Sequence, residues 1–262
     1  MIIYCEEEVR AIKRSNQIVA KILEELGSMI RPGIRTKELD EHAEARTREM
    51  GAIPAFKGYR DFPSSLCTSI NEEIVHGIPS SRALREGDII SLDFGVLYEG
   101  YYGDAAITFP VGEITPKAKK LIQAAKEAFH KGLDQARAGN RLSDISHAIQ
   151  TYVEAQGFSV IRSFVGHGIG LSLHEEPQIP NFGLPGRGPK IKPGMVFALE
   201  PMIAVGDWSV EILEDNWTAI TRDKSLSAHY EHTVAITEEG AEILSELDEK
   251  EASRFLKENR YA

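Results

Sequence analysis

Residues 88–110 read DIISLDFGVLYEGYYGDAAITFP. Two β-rich runs of apolar and aromatic residues flank a turn near Glu99-Gly100, so the stretch is expected to fold as an antiparallel hairpin. Two acids interrupt it, Asp93 and Asp104, eleven residues apart around the turn. That spacing lets them come opposite one another on one face, as cross-strand neighbours do. Carboxylates held that close repel unless a cation lies between them, and a divalent metal is the usual answer. The plainer alternative is a turn-associated Asp104 after Gly103 and a strand-edge Asp93.

Outward from the hairpin, the chain alternates helical and strand-like patterns. Ile12, Val19, Ile22, Leu23, Leu26 and Ile30 recur at helical spacing over 9–30, and Arg31-Pro32-Gly33 stops the pattern. A second helix is expected from Thr36, read as its N-cap, to a C-cap at Gly51. A strand is expected at 66–75. Helices follow over 115–139, with Pro116 at the first helical position, and over 143–157. Strands return at 158–165, 195–204, 210–213, 217–221 and 230–237, with the Gly/Pro-rich segment 177–193 read as a surface loop.

The order is therefore helix, helix, strands, then the same again. The halves match at a fixed offset of 106: Gly33 with Gly139, Arg35 with Arg141, Glu38 with Asp144, Leu39 with Ile145 and Gly51 with Gly157. A duplication would give two α+β halves, about 8–111 and 115–240, related by a pseudo-twofold axis with a cleft where their sheets meet. Chance similarity of two helix-loop-helix units is the alternative. No long or Pro/Ser-rich linker separates the halves, so residues 1–262 read as a single compact domain.

Composition narrows the function. The 262 residues carry 30 Lys+Arg against 40 Asp+Glu, a net charge of −10, and no basic block longer than Lys119-Lys120. Phosphate-backbone affinity comes from basic charge, so specific nucleic-acid binding is not expected. Lys117, Lys119, Lys120 and Lys126 form a modest cluster that reads as a solvated helix face, with ribosomal RNA as the alternative partner. Cys5 and Cys67 are too few for a disulfide framework, which suggests a reducing compartment. Acids at Glu6, Glu7 and Glu8 do not suit a signal peptide, and no apolar stretch approaches a membrane span. The expected location is the cytoplasm.

The second half repeats the oddity of the hairpin. Glu200 follows the run 195–199 and Glu231 precedes the run 233–236, so each acid abuts a strand where an unpaired charge is costly. Three histidines join them: His76 in VHGIP, and His167 and His174 in GHGIGLSLH. Glycines flanking His167 allow close backbone approach and are expected to leave its imidazole exposed. His42, His130, His147, His229 and His232 read as structural or surface residues. The glycines fail the dinucleotide fingerprint, and no P-loop, HExxH, GxSxG or CxxC occurs.

Taken together, His76-Gly-Ile-Pro, Asp93, Gly103-Asp104, Gly166-His167-Gly-Ile-Gly, His174-Glu-Glu-Pro, Glu200-Pro and Glu231-His-Thr resemble the type I methionine aminopeptidases of the bacterial form, over about 8–247. The resemblance implies the α+β pita-bread fold, a pseudo-twofold pair of halves with antiparallel sheet and a dinuclear metal site in the central cleft. It implies two divalent cations (Co, Mn, Fe, Zn or Mg) held by Asp93, Asp104, His167, Glu200 and Glu231, with Asp104 and Glu231 bridging. Four carboxylates would then balance the two ions. It implies that Glu200 moves a proton from water to the leaving amine, that His174 donates to the carbonyl oxygen, and that His76 orients the peptide beyond the scissile bond. Tyr59, Phe62, Cys67 and Trp217 would enclose the substrate methionine. Phe56 stands where some relatives carry a second pocket cysteine, and Leu173 where many carry an aromatic residue.

The implied activity is hydrolytic removal of the initiator methionine from nascent chains when the second residue is small, by a monomer in passing contact with the ribosome. An X-Pro aminopeptidase of the same fold is the alternative, but such enzymes usually carry an additional N-terminal domain. A non-catalytic pita-bread binding protein is another, but it typically lacks some of the ligands.

Overall fold

A computed structural model describes residues 1–247, so the single-domain reading of 1–262 extends beyond them at 248–262. The hairpin forms as its sequence dictates. Strand Ile89–Tyr98 pairs with strand Tyr101–Pro110, from Ile89 opposite Pro110 to Tyr98 opposite Tyr101. Glu99 (φ 49°) and Gly100 (φ 87°) make the two-residue connection with both φ values positive, as a type I′ turn requires. Ile90, Leu92, Phe94 and Val96 point to the helices and are fully buried, while Ser91 and Asp93 face the other way.

Helix α1 (Glu6–Met29) buries Ile12, Val19, Ile22, Leu23 and Leu26, and with helix α2 (Thr36–Glu49) it covers that face. α1 begins before its apolar pattern does. Glu6, Glu7 and Glu8 suit the positive end of a helix, and the Glu8 carboxylate accepts the Cys5 backbone N–H at 2.8 Å. The N-cap of α2 is Arg35, not Thr36: the Arg35 N–H donates to Glu38 at 3.1 Å. The Thr36 hydroxyl is engaged elsewhere, accepting the Ser80 N–H at 2.8 Å.

Helices α3 (Pro116–Leu133) and α4 (Leu142–Ala155) cover the second half of the sheet, around Leu121, Phe129, Ile145, Phe197, Leu199 and Val234. α3 ends at Leu133, short of Gly139, and its N-cap Thr115 accepts the Ala118 N–H at 3.2 Å. α4 repeats α2: the Arg141 N–H donates to Asp144 at 2.7 Å, matching Arg35 and Glu38. The paired glycines adopt matching left-handed conformations, Gly33 at φ 91° with Gly139 at 94°, and Gly51 at 74° with Gly157 at 82°. Arg35 bridges to Ala83 and Arg141 to Lys190, so corresponding loops close on corresponding helices.

The main sheet runs in the order Ile53–Pro54, Ile89–Tyr98, Tyr101–Pro110, Glu231–Ile236, Val196–Leu199, Val165–Gly168, Glu175–Pro180. Cys67–Ile70 also pairs with Ile89–Tyr98, and Ala241–Ile243 with Glu231–Ile236. The halves meet where Tyr101–Pro110 lies against Glu231–Ile236. All pairings are antiparallel.

Three strand expectations and one loop expectation are corrected. The 66–75 run breaks at Asn71 (φ 58°) into Cys67–Ile70 and Glu73–Val75. The 195–204 run breaks at Glu200-Pro201 into Val196–Leu199 and Met202–Ala204, because Pro201 has no N–H for the ladder. Residues 177–180 belong to the strand Glu175–Pro180, with the loop starting after it. Only Ser159–Val160 of the 158–165 run is extended before Val165–Gly168. Among the described residues no helix is long and apolar enough to cross a membrane.

Candidate active site

Five neighbouring strands of the main sheet each bring one ligand-type side chain to the face away from the helices. Asp93 comes from Ile89–Tyr98, Asp104 from Tyr101–Pro110, Glu231 from Glu231–Ile236 and His167 from Val165–Gly168, while Glu200 follows directly on Val196–Leu199. Ala106 pairs with both Asp93 and Glu231, so a single methyl lies in the row between two carboxylates. Asp104 does not face Asp93. It pairs with Gly95, two residues along from Ala106, so the two aspartates are diagonal neighbours on one face. The carboxylate of Asp104 and ligand atoms of His167 and Glu231 all lie within 4.8 Å of one another.

Asp104 and Glu200 are held by side chains that bond to their backbone. Asn16 of α1, itself fully buried, accepts the Asp104 N–H at 3.2 Å, and the Thr233 hydroxyl donates to the Asp104 carbonyl at 2.8 Å. The Asn181 amide donates to the Glu200 carbonyl at 3.0 Å, which the break at Pro201 leaves outside the ladder. His167 is buried at 7% exposure, against the expectation of an exposed ring. Its flanking glycines do permit close approach: a Cβ on Gly166 would stand 2.5 Å from the Ala198 carbonyl, and one on Gly168 2.6 Å from that of Glu176. Nδ1 of His167 lies 3.0 Å from the Gly168 carbonyl, leaving Nε2 toward Glu200 at 3.4 Å.

Electrostatically the cluster calls for cations. Burial raises the pKa of all four carboxyls, and mutual repulsion adds to the rise at Asp104, Glu200 and Glu231. Asp104 Oδ1 is buried with no hydrogen-bond partner among the described residues. Among the described residues Arg60 is the one arginine or lysine lining the cleft, and its side chain lies over the Tyr59 ring. Four carboxylates and an imidazole around an orphaned oxygen fit divalent ions favouring oxygen and nitrogen ligands.

These five residues floor a cavity of about 170 Å³. His76, His174, Tyr59, Phe62, Cys67 and Trp217 line the same cavity, as do Phe56 and Leu173. Phe62 meets Trp217 edge-on at 5.1 Å, and the Asp215 carboxylate fixes Trp217 by accepting its backbone N–H at 2.9 Å. Cys67 faces Asp93 across the strands, and burial and the nearby acids keep its thiol protonated. His174 stacks on Tyr59 at 5.2 Å, with Nδ1 2.9 Å from the tyrosine hydroxyl. Burial depresses the pKa of His174 to about 4 and that of His76 to about 4, so both rings are neutral. His76 has φ 62°, a conformation costly for a side-chain-bearing residue and common at functional sites. Gly77 after it is obligatory, because a Cβ there would meet the Thr68 carbonyl at 2.2 Å.

Sequence reasoning passed over Arg60, Phe164 and Met202, which also line the cleft, and read as structural or surface the His229 that lies 3.7 Å from Glu231. Phe164 packs edge-on against His76 at 5.4 Å. It and Met202 carry no chemical signal in sequence. His229 precedes Glu231 by two residues, and that proximity was the available clue.

Comparison with known proteins gives the same picture. Over 238 residues the chain is 55% identical to methionine aminopeptidase 1 of Bacillus subtilis, covering 91% of this chain and 96% of that protein. The crystal structure of a methionine aminopeptidase from Thermotoga maritima superposes with a TM-score of 0.93 at 44% identity, covering 94% of this chain and 99% of that one. An X-Pro aminopeptidase from Thermotoga maritima superposes less well, with a TM-score of 0.73 at 25% identity, covering 94% of this chain but 63% of its own. Residues 10–238 match metallopeptidase family M24, and the chain belongs to that family of metal-dependent hydrolases.

Proposed function

We propose that this protein is a methionine aminopeptidase, which hydrolyses the bond after an N-terminal methionine. The observation that carries this reading is one cavity with two unlike parts: a floor of four carboxylates and one imidazole, and a wall of Tyr59, Phe62, Cys67 and Trp217. The wall suits an unbranched, polarizable thioether. Asp93, Asp104, His167, Glu200 and Glu231 would hold two divalent ions, Asp104 and Glu231 touching both. Bound there, such ions supply Lewis acidity that acidifies water and polarises the scissile carbonyl.

The chain's own groups do the rest. Glu200 takes the proton from water and passes it to the leaving amine. A Tyr59 hydroxyl donating to Nδ1 of His174 places the ring proton on Nε2, from which it is donated to the carbonyl oxygen as charge develops there. His76, buttressed by Phe164 and Trp217, orients the peptide beyond the scissile bond.

His76 and His174 crowd the space for the second residue, so Gly, Ala or Ser fits and Leu, Lys or Phe displaces the carbonyl. A misplacement of about 1 Å can cost roughly a hundredfold in rate. In a mixture of Met-Ala-Ser and Met-Lys-Ser peptides with metal-reconstituted protein, free methionine should come from the first alone. An X-Pro peptide in a parallel reaction should stay intact; its cleavage in preference to Met-Ala-Ser would overturn the reading in favour of the proline-selective alternative.

We further infer that the described residues belong to a single catalytic domain of two duplicated halves, supported by the matched caps and glycine conformations at offset 106. The chain would act as a monomer in the cytoplasm, where a buried free Cys67 stays reduced. Passing contact with the ribosome has an exposed platform in Lys117, Lys119, Lys120 and Lys126 on α3. Three of these already have local contacts: Lys119 with Glu113 at 3.3 Å, Lys120 with the Gln156 carbonyl at 3.0 Å and Lys126 over the Tyr230 ring.

A further inference from the structure

His229 sits just behind the acid cluster in an unusual state. It is 1% exposed, and neither ring nitrogen has a hydrogen-bond partner among the described residues. A neutral imidazole carries one N–H and one lone pair, and leaving both unused in a dry interior is costly. The ligand-type carboxylate of Glu231 stands beside it, with Oε2 3.7 Å from Nε2. That gap is just beyond hydrogen-bond length.

The backbone of His229 cannot drift. Its N–H donates to Thr108 Oγ1 at 2.9 Å, and the same hydroxyl approaches the His229 carbonyl at 2.8 Å and the Ser91 hydroxyl at 2.8 Å. Thr108 and Ser91 lie on the hairpin that carries Asp93 and Asp104, so His229 is fixed to the frame of the cluster. Its strand, Ser227–His229, pairs with Met202–Ala204 in a separate three-stranded sheet, and the chain crosses to the main sheet at Tyr230. His229 therefore reaches Glu231 from outside the sheet that carries the ligands. It is not itself grouped with Asp104, His167 and Glu231, whose ligand atoms converge.

We propose that His229 is a positioning residue: a small closure of the 3.7 Å gap lets its Nε2–H hydrogen-bond the Glu231 carboxylate and hold it in the orientation that binds metal. The inference rests on the metal-centre reading above. Groups that hold a ligand in place without touching the ion commonly change affinity by about 10- to 100-fold when removed.

The test is calorimetric titration of Mn²⁺ into chelator-stripped protein. His229→Gln places an amide N–H where Nε2 lies and should bind within about threefold of the parent. His229→Leu removes the donor, and His229→Asn keeps an amide but places it near Nδ1, out of reach of Glu231. Both should weaken binding by about 10- to 100-fold, with thermal melting of the stripped proteins reporting that each is folded. If His229→Leu does not fold, His229→Asn against His229→Gln decides alone. Parent-like affinity in the Leu or Asn variant overturns the inference, as does equal weakening in the Gln variant, which would mark a packing role. If the parent takes up no Mn²⁺, the metal-centre reading fails first, and that result is distinct from normal uptake by every variant.

Discussion

His167 and His174 lie with their rings 4.3 Å apart, yet their neighbours give them different tasks. His167 is oriented by a backbone carbonyl and turned toward Glu200, whereas His174 is oriented by a tyrosine. His167→Ala should lower metal content by elemental analysis. His174→Ala should keep its metal and lose roughly two to three orders of magnitude in rate, the usual loss on removing an oxyanion donor. Metal loss on His174→Ala with none on His167→Ala would reverse the two assignments. Tyr59→Phe removes the hydroxyl from Nδ1 and should lower kcat by about tenfold, the worth of one hydrogen bond, with little change in KM. At this scale the acids were readable, because an acid inside an apolar strand needs a reason. Phe164 and Met202 were not, since any buried apolar residue would look the same in sequence. His229 was passed over because an isolated histidine is ordinarily structural, and only its unpartnered nitrogens mark it out.

Between residues and molecule, the hairpin and α1 act as one unit. A Cβ on Gly103 would stand 2.8 Å from the Asn16 nitrogen and 2.9 Å from the Ser15 carbonyl carbon, both in the backbone of α1. Gly103→Ala must push helix and strand apart, at about 1–3 kcal/mol by analogy with overpacked cores. Because Asn16 also holds the Asp104 N–H, the same variant should bind metal more weakly. Urea unfolding and Mn²⁺ titration of one preparation check both effects, and unchanged values would show that the contact yields freely. The hairpin was legible because its signals are local. Its two-residue turn even fixes the register: with Tyr98 opposite Tyr101, the partner of Asp93 has to be Ala106, so Asp93 and Asp104 stand diagonally and not opposite one another. Helix ends were less legible, since the Thr36 hydroxyl is drawn to Ser80, distant in sequence.

For the whole molecule, the buried acids make stability depend on pH and metal together. In metal-free protein their folded pKa values lie above those of the unfolded chain, because of burial and then mutual repulsion. The folded state then holds more protons, so its stability falls as pH rises through the folded values. The neutral buried histidines act oppositely, but only below about pH 6.5, where the unfolded chain takes up protons. As pH rises through the range in which these carboxyls give up their protons, about 7 at Asp93, chelator-treated protein should therefore melt at progressively lower temperature, while metal-loaded protein should not. Parallel melting curves for the two forms would contradict the account. The matching caps and glycine turns at 33–51 and 139–157 were readable from the offset of 106, but the joining of the two sheet regions was not, since the pairing of Ala106 with Glu231 links residues too distant for any local pattern. That joining also sets a timetable for the protein's own synthesis. Asp93 leaves the ribosome long before Glu231, and at about 5–20 residues per second the interval is roughly 7 to 28 s. Until the strand Glu231–Ile236 arrives, a growing chain has an acid-bearing hairpin without its closing partner, and the cluster is complete only once that strand has emerged and paired.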